Sequence, residues 1–127
     1  MTKKYRILIA DDDSLNYLYY KEILDNQIYD IIYVDNGLKA IETLKENPET
    51  IDLILMDMKM PDMDGFTATN EIRKFNLTIP IIAQTAYAYR EDYEKAINAG
   101  CSDYISKPIR EDILISKIEK LLKINNS

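Results

Sequence analysis

Five short apolar runs, each separated from the next by one stretch of helical periodicity, constrain this chain more than any other feature. Tyr5 to Ala10 is rich in β-branched residues and ends abruptly in Asp11-Asp12-Asp13, which reads as a buried strand. Asp30 to Val34 (DIIYV) is a second strand, closed by the turn signal Asp35-Asn36-Gly37. Ile51 to Met56 (IDLILM) is a third, with Asp57 at its C-terminal end. Pro80 to Ala83 (PIIA) is a fourth, with Gln84-Thr85 at its end, and Asp103 to Ser106 a short fifth before Lys107-Pro108. The stretches between are helical. Ser14 onward places Leu15, Leu18, Tyr19 and Ile23 on one expected inward face. Leu38, Ile41 and Leu44 mark a second helix that ends near Asn47-Pro48. After the loop from Met58 to Asp64, Gly65 opens a third helix with Phe66, Ile72 and Phe75 on its apolar side. A fourth runs over roughly Glu91 to Ala99, with Tyr93 and Ile97 inward and Gly100 as C-cap. The last puts Leu114, Ile118, Leu121 and Leu122 on one stripe.

Strands joined through single helices cannot form hairpins, so the sheet is expected to be parallel with helices on both faces. Right-handed crossovers leave few topologies. The 127 residues match one ordinary domain, expected over 1–127 with a core from about 5 to 122 and a frayed Asn125-Asn126-Ser127 tail.

Composition removes whole classes of function. The net charge of −6 repels phosphate backbones, so nucleic-acid binding through a broad basic face is not expected. There is no histidine, which excludes Ser-His-Asp triads and His-based metal sites. The lone Cys101 forms no internal disulfide, fits a reducing compartment and reads as a small core residue. No apolar run approaches the ~20 residues of a membrane span. Met1-Thr2-Lys3-Lys4 leads straight into a strand with no visible signal peptide, so the expected location is cytoplasmic, or the cytoplasmic part of a membrane-bound parent chain.

Ligands of open parallel sheets sit beyond the carboxyl ends of the strands. There the first strand offers Asp11, Asp12 and Asp13, the third Asp57, the fourth Thr85 and the fifth Lys107. Carboxylates crowded at one rim repel each other unless a cation sits among them, and hard oxygen ligands select Mg²⁺, with Mn²⁺ as a substitute. A carboxylate can act as a nucleophile and become an aspartyl-phosphate. Phosphoryl transfer asks mainly for positioning and charge stabilisation, which a metal, a lysine and a threonine hydroxyl supply. Taken singly each feature has a plainer reading. Three aspartates can be a solvated strand end in which Asp13 or Ser14 caps the next helix. A lone Asp, Thr or Lys-Pro at a strand end is usually structural. Met56, Met58, Met60 and Met63 read as strand core and loop packing. The four acid, hydroxyl and ammonium signals at four strand ends outweigh those readings together.

The ordered set ILIADDDSLN, LILMDMKMPDMDG, PIIAQTA and DYISKP resembles the receiver (response-regulator) family of two-component signalling, over about Tyr5 to Leu122. The wording is most similar to receivers of hybrid histidine kinases. The resemblance implies a flavodoxin-like, doubly wound, five-stranded parallel α/β sheet, (βα)5. It implies Asp57 as phosphoacceptor and Asp12 as the acid that ligates Mg²⁺. Asp11 is then the neighbour acting through water, and the Lys59 backbone carbonyl completes the metal ligands. Thr85 matches the switch hydroxyl, Lys107 the phosphate-binding lysine and Tyr104 the switch aromatic. Pro108 stands where the family commonly has a cis peptide that aims the lysine, and Pro61 and Gly65 match the turn after the phosphoacceptor. Thr67 and Tyr87 depart from the commonest pattern.

The implied function is a phosphorylation-dependent switch acting through its α4-β5-α5 face. It takes its phosphoryl group from a histidine kinase or phosphotransfer histidine. It is not a turnover enzyme but assists its own phosphorylation and dephosphorylation. An Asp-nucleophile phosphohydrolase of the haloacid-dehalogenase type would want an acid where Lys59 stands, and a cap insertion. A flavin or nucleotide carrier would want a phosphate loop where the three aspartates are. A scaffold-only receiver would not need the full acidic, Thr and Lys set. No effector is readable. The expected unphosphorylated state is a monomer or weak dimer, because the fourth and last helices show no apolar stripe beyond the core's needs; Tyr89 and Tyr93 are the candidate docking residues.

Overall fold

The computed structural model describes residues 4–86 and 89–124. Strands and helices alternate along the chain: β1 Tyr5–Ala10, α1 Ser14–Leu24, β2 Tyr29–Val34, α2 Gly37–Glu46, β3 Leu53–Asp57, α3 Gly65–Arg73, β4 Ile81–Thr85, α4 Arg90–Ala99, β5 Asp103–Ser106 and α5 Glu111–Leu122. The strands pair in parallel in the order β2-β1-β3-β4-β5. The chain reverses its direction of winding between β1 and β3, so a crevice opens beyond the ends of these two strands.

Alternation along the strands sends apolar residues both ways, as a sheet covered on two sides requires. Ile7, Ile9, Leu53, Leu55 and Ile82 pack with Tyr20 and Leu24 of α1 and with Leu114 and Ile118 of α5. Leu8, Ile54, Met56, Ile81 and Ala83 pack with Ala40 and Leu44 of α2, Ala68 and Ile72 of α3 and Ala96 of α4. Short polar side chains start the helices. Asp13 accepts from the Leu15 amide at 2.9 Å, Asn36 from Lys39 at 2.9 Å and Asp64 from Thr67 at 2.7 Å. Each such cap contributes about 1 kcal/mol. Gly100 ends α4 with φ 114° and its N–H bonded to Ala96 and Ile97 carbonyls, a backbone shape that favours glycine.

Several strand bounds shift. β3 begins at Leu53 and includes Asp57, and β4 begins at Ile81 and runs through Thr85, so both polar residues stand at strand ends as expected. The expected inward face of α1 is wrong. Leu15 and Leu18 are 73% and 57% exposed and Tyr19 is also exposed, while Tyr20 and Leu24 are fully buried and Ile23 half-buried. Apolar and aromatic residues surround this helix, so its periodicity marks no single face. In α4, Ala96 is the inward residue, and Tyr93 and Ile97 are exposed. With Tyr89 also exposed, α4 does carry an apolar surface beyond the core's needs. Leu38 is exposed, and Phe75 lies past the end of α3, exposed beneath the Lys45 ammonium. Tyr87 and Asn125-Asn126-Ser127 fall outside the described residues. Cys101 is buried, bonded at 3.7 Å to the Thr69 hydroxyl, and burial lifts its thiol to a pKa of about 11.

Gly65 marks the tightest approach below the crevice. A Cβ there would stand 2.2 Å from the Asp57 carbonyl oxygen and 2.8 Å from Met58 Cα, both backbone atoms that cannot swing away. Gly65→Ala is expected to lower stability by about 1–3 kcal/mol in urea unfolding, whereas Leu15→Ala should change it by under about 0.5 kcal/mol. Equal midpoints for Gly65→Ala and the parent would contradict the packing described.

Candidate functional site

The crevice brings together the residues singled out at the strand ends. Asp11 follows β1 and is fully buried, and Asp57 ends β3 with 3% exposure. Asp12 is exposed beside them, and one carboxylate oxygen from each of the three lies within 4.8 Å of the others. Buried carboxylates need partners. Asp11 accepts from the Asp13 amide at 2.9 Å and from Asn16 Nδ2 at 3.3 Å. Asp57 accepts from the Lys59 amide at 3.1 Å and from Lys107 Nζ at 3.3 Å. The Lys107 ammonium also stands 4.0 Å from Asp11. Asp12, Ser14, Asp57, Lys59 and Lys107 are among the residues lining an open cleft of about 460 Å³.

Backbone bonds hold these groups at their heights. The amide of Asp11 donates to the Val34 carbonyl at 3.1 Å, and that of Met58 to Gln84 at 2.9 Å. The Lys107 amide donates to Thr85 at 2.7 Å, and the Lys107–Pro108 peptide is cis. Thr85 is buried and shares a side-chain hydrogen bond with Tyr104, which is half-buried. The Tyr104 ring meets Tyr93 edge-on at 5.7 Å. So Asp11, Asp12, Asp57 and Lys107 converge directly, while Thr85 and Tyr104 form a pair on the sheet's other side.

Electrostatics agree with a site built for a further cation. Burial, then the Asp57 charge, lifts Asp11 to a pKa of about 6 against the hydrogen bonds from Asp13 and Asn16 and the Lys107 charge. Burial also raises Asp57, aided by Asp12 and opposed by the Lys59 amide and Lys107. Among the described residues the Lys107 ammonium is ion-paired with Asp11 and Asp57 while Asp12 stands beside them, so these groups carry an excess of negative charge, and an all-oxygen donor set of this kind fits a hard divalent ion.

Residues 7–119 match the family model described as the response regulator receiver domain. The chain belongs to this family. It is a receiver domain of two-component signalling. Hybrid signal transduction histidine kinase H of Dictyostelium discoideum is 39% identical over 126 residues, covering 95% of this chain and 9% of that protein. The histidine-protein kinase BarA of Escherichia coli is 38% identical over 110 residues, covering 85% of this chain and 12% of that kinase. The receiver therefore spans a small part of the curated relatives it matches. Among solved structures, the receiver domain of a sensor histidine kinase from Pseudomonas aeruginosa superposes with TM-score 0.86 at 31% identity, covering 95% and 99% of the two chains. That structure has a magnesium ion coordinated in its active site cleft. A response regulator from Chloroflexus aurantiacus gives TM-score 0.88 at 25% identity, covering 95% and 99% of the two chains. Among the described residues no helix is long and apolar enough to cross a membrane.

Three contacts of the receiver were not foreseen: Asn16 on Asp11, the Tyr33 hydroxyl on the Asp11 carbonyl at 2.7 Å, and a buried Tyr20–Gln84 bond. Gln84 was detectable, as an amide inside the apolar run IIAQT. The Tyr33 bond depends on β2 lying beside β1, which no local pattern reveals.

Asp11 gives a pH test. Its folded pKa of about 6 lies above the ordinary 3.8, so between those values the folded state binds more protons than the unfolded one. Stability from this group is therefore present below about pH 4 and lost as pH rises towards 6. In metal-free buffer the parent's urea midpoint should fall over that window, and Asp11→Asn should flatten the fall and gain on the order of 1–3 kcal/mol at pH 7. Parallel pH profiles for the two proteins would contradict it.

Proposed function

We propose that this receiver accepts a phosphoryl group on Asp57 and that Thr85 and Tyr104 carry the change to the α4-β5-α5 face. The carrying observation is the Asp57 carboxylate at the floor of the open cleft, bonded to Lys107 at 3.3 Å and crowded by Asp11 and Asp12. An Asp57 oxygen attacks phosphorus, and the bond from phosphorus to the donor breaks, its electron pair leaving on the donor (a phosphohistidine imidazole). Lys107 neutralises charge on the transferred oxygens. Asp12, Asp57 and the Lys59 carbonyl would hold Mg²⁺ directly and Asp11 through water. When bound, the ion supplies charge neutralisation on the side opposite Lys107. Position 59 sets a lysine and a backbone amide beside Asp57, not the second acid that a phosphohydrolase needs.

Phosphorylation then acts on the Thr85–Tyr104 pair. The Thr85 hydroxyl exchanges Tyr104 for a phosphoryl oxygen, and the Tyr104 ring swings inward to fill the space behind it. Moving a two-state equilibrium from 1:99 to 99:1 takes roughly 5.5 kcal/mol. A few charge-assisted bonds at about 1.5–3 kcal/mol each are of that order.

The donor is a histidine kinase or phosphotransfer domain, and its docking face is α1. Ser14 lines the cleft, and Leu15 and Leu18 next to it are exposed although apolar. A phosphohistidine brought to Asp57 has to cover the cleft mouth, and this surface is what its carrier meets. The receiver acts as one domain over 1–127, monomeric before phosphorylation, on the cytoplasmic side.

A small phosphoryl donor with Mg²⁺ should add one phosphoryl group to the parent and none to Asp57→Asn, read by intact mass. Lys107→Ala should bind Mg²⁺ yet lose most of the fluoroberyllate-induced NMR response. An Asn variant that labels like the parent would remove Asp57 as acceptor. Leu18→Ser should slow transfer from a phosphohistidine protein severalfold, roughly the worth of ~1 kcal/mol at an interface, and leave small-donor labelling unchanged. Equal slowing with both donors would remove α1 as the docking face.

A further inference from the structure

Gln84 is a polar residue of the interior that the proposed mechanism leaves without a task. It is fully buried, yet among the described residues its Nε2 has no hydrogen-bond partner. Its Oε1 accepts from the hydroxyl of Tyr20, itself fully buried. An orphaned buried donor is costly and uncommon in native proteins, and it calls for an explanation.

Its position supplies one. Gln84 is the register partner of Asp57 on the neighbouring strand. Alternation places Leu53, Leu55 and Asp57 on one face of β3, and Ile82 and Gln84 on one face of β4. Leu53, Leu55 and Ile82 all pack towards α1 and α5. Ile7 and Ile9 of β1 pack there too, and Asp11 continues their alternation. Thr85, one residue on, faces the opposite side with Ala83 and Tyr104. At the level of the cleft floor, the buried polar side chains of the α1/α5 side are therefore Asp11, Asp57, Tyr20 and Gln84. The carboxylates of Asp11 and Asp57 favour a donor pointing at them, and Tyr20, by holding Oε1, leaves Nε2 as the free end. Helix α1 braces both neighbours from one stripe: Asn16 bonds Asp11, and Tyr20, one turn on, bonds Gln84.

We propose that Gln84 is a positioning residue for Asp57, its carboxamide pinned by Tyr20 so that Nε2 donates to the Asp57 carboxyl group in the phosphorylated state. The proposal rests on Asp57 being the acceptor. In the resting receiver the donor is unsatisfied. Modification turns the Asp57 carboxyl group, Nε2 gains its acceptor, and the modified state is favoured relative to the resting one. The effect of Gln84 is thus on the stability and lifetime of the adduct, not on metal binding or on the fold.

The test compares the full chain with Gln84→Met and Tyr20→Phe. Calorimetry gives affinities for Mg²⁺ alone and for fluoroberyllate with Mg²⁺. The decay of small-donor-labelled protein and the melting temperature are measured beside them. Gln84→Met is expected to weaken fluoroberyllate binding and shorten the labelled state by about fivefold, the worth of one ordinary hydrogen bond to the acyl oxygen of modified Asp57. Its Mg²⁺ affinity should stay at the parent value, with a melting temperature no lower than the parent's. Tyr20→Phe should shift the adduct in the same direction by a smaller factor. A Gln84→Met protein that melts like the parent and keeps its fluoroberyllate affinity and label lifetime within about twofold would overturn the proposal. Should Gln84→Met not fold, an unchanged adduct in Tyr20→Phe overturns it instead. Labelling that survives Asp57→Asn is a separate result, because it sinks the acceptor assignment and with it the premise.

Discussion

The structure depends on holding like charges together at the carboxyl ends of β1 and β3. Two unit charges about 4 Å apart repel by about 4 kcal/mol at the effective dielectric of a protein surface. Domains of this size are stable by only about 5–15 kcal/mol, so the rest of the fold has to counter that repulsion. The strand order places Asp11 and Asp57 on adjacent strands, and packing on both faces of the sheet keeps them there. The Lys107 ammonium, reaching from beyond β5, is the counter-charge the chain itself provides. Gly65 lets the loop after Asp57 fold back against that residue's own carbonyl. The crowding leaves an excess of negative charge at an open cleft, which suits the proposed cation and phosphoryl group.

Much of this was legible in the chain. Alternating apolar runs and helical stretches give five βα units, and the parallel sheet follows because single helices join the strands. Asp11, Asp12, Asp57 and Lys107 were recognisable because each ends a strand, and strand ends on one side of such a sheet converge. What failed was facing. In α1 the residues Leu15, Leu18 and Tyr19 make as good a stripe as Tyr20 and Leu24, and only the neighbours in space decide between them. In α4 the small Ala96 carries the contact, which leaves Tyr93 and Ile97 outside. Size, rather than hydrophobicity, sets what fits against a short edge strand.

Those two errors have a common direction. Each concerns apolar residues that the core does not need and that stand on helices flanking the cleft. The exposed α1 surface adjoins the mouth of the cleft, where the proposed donor arrives. The exposed α4 surface adjoins Tyr104, where the proposed signal leaves. The proposed input surface on α1 and the α4 part of the proposed output surface thus lie on opposite faces of one sheet, with Asp57 at its rim. Gln84 and Thr85, consecutive in β4, point to the two sides, so a single strand end touches both.

A crystal structure of the chain grown with Mn²⁺ and fluoroberyllate tests the central claim most directly. The account predicts an anomalous peak among Asp11, Asp12 and Asp57, and beryllium bonded to an Asp57 carboxylate oxygen with a fluorine against Lys107 Nζ. Metal density away from those carboxylates, or an adduct on any residue other than Asp57, would contradict it.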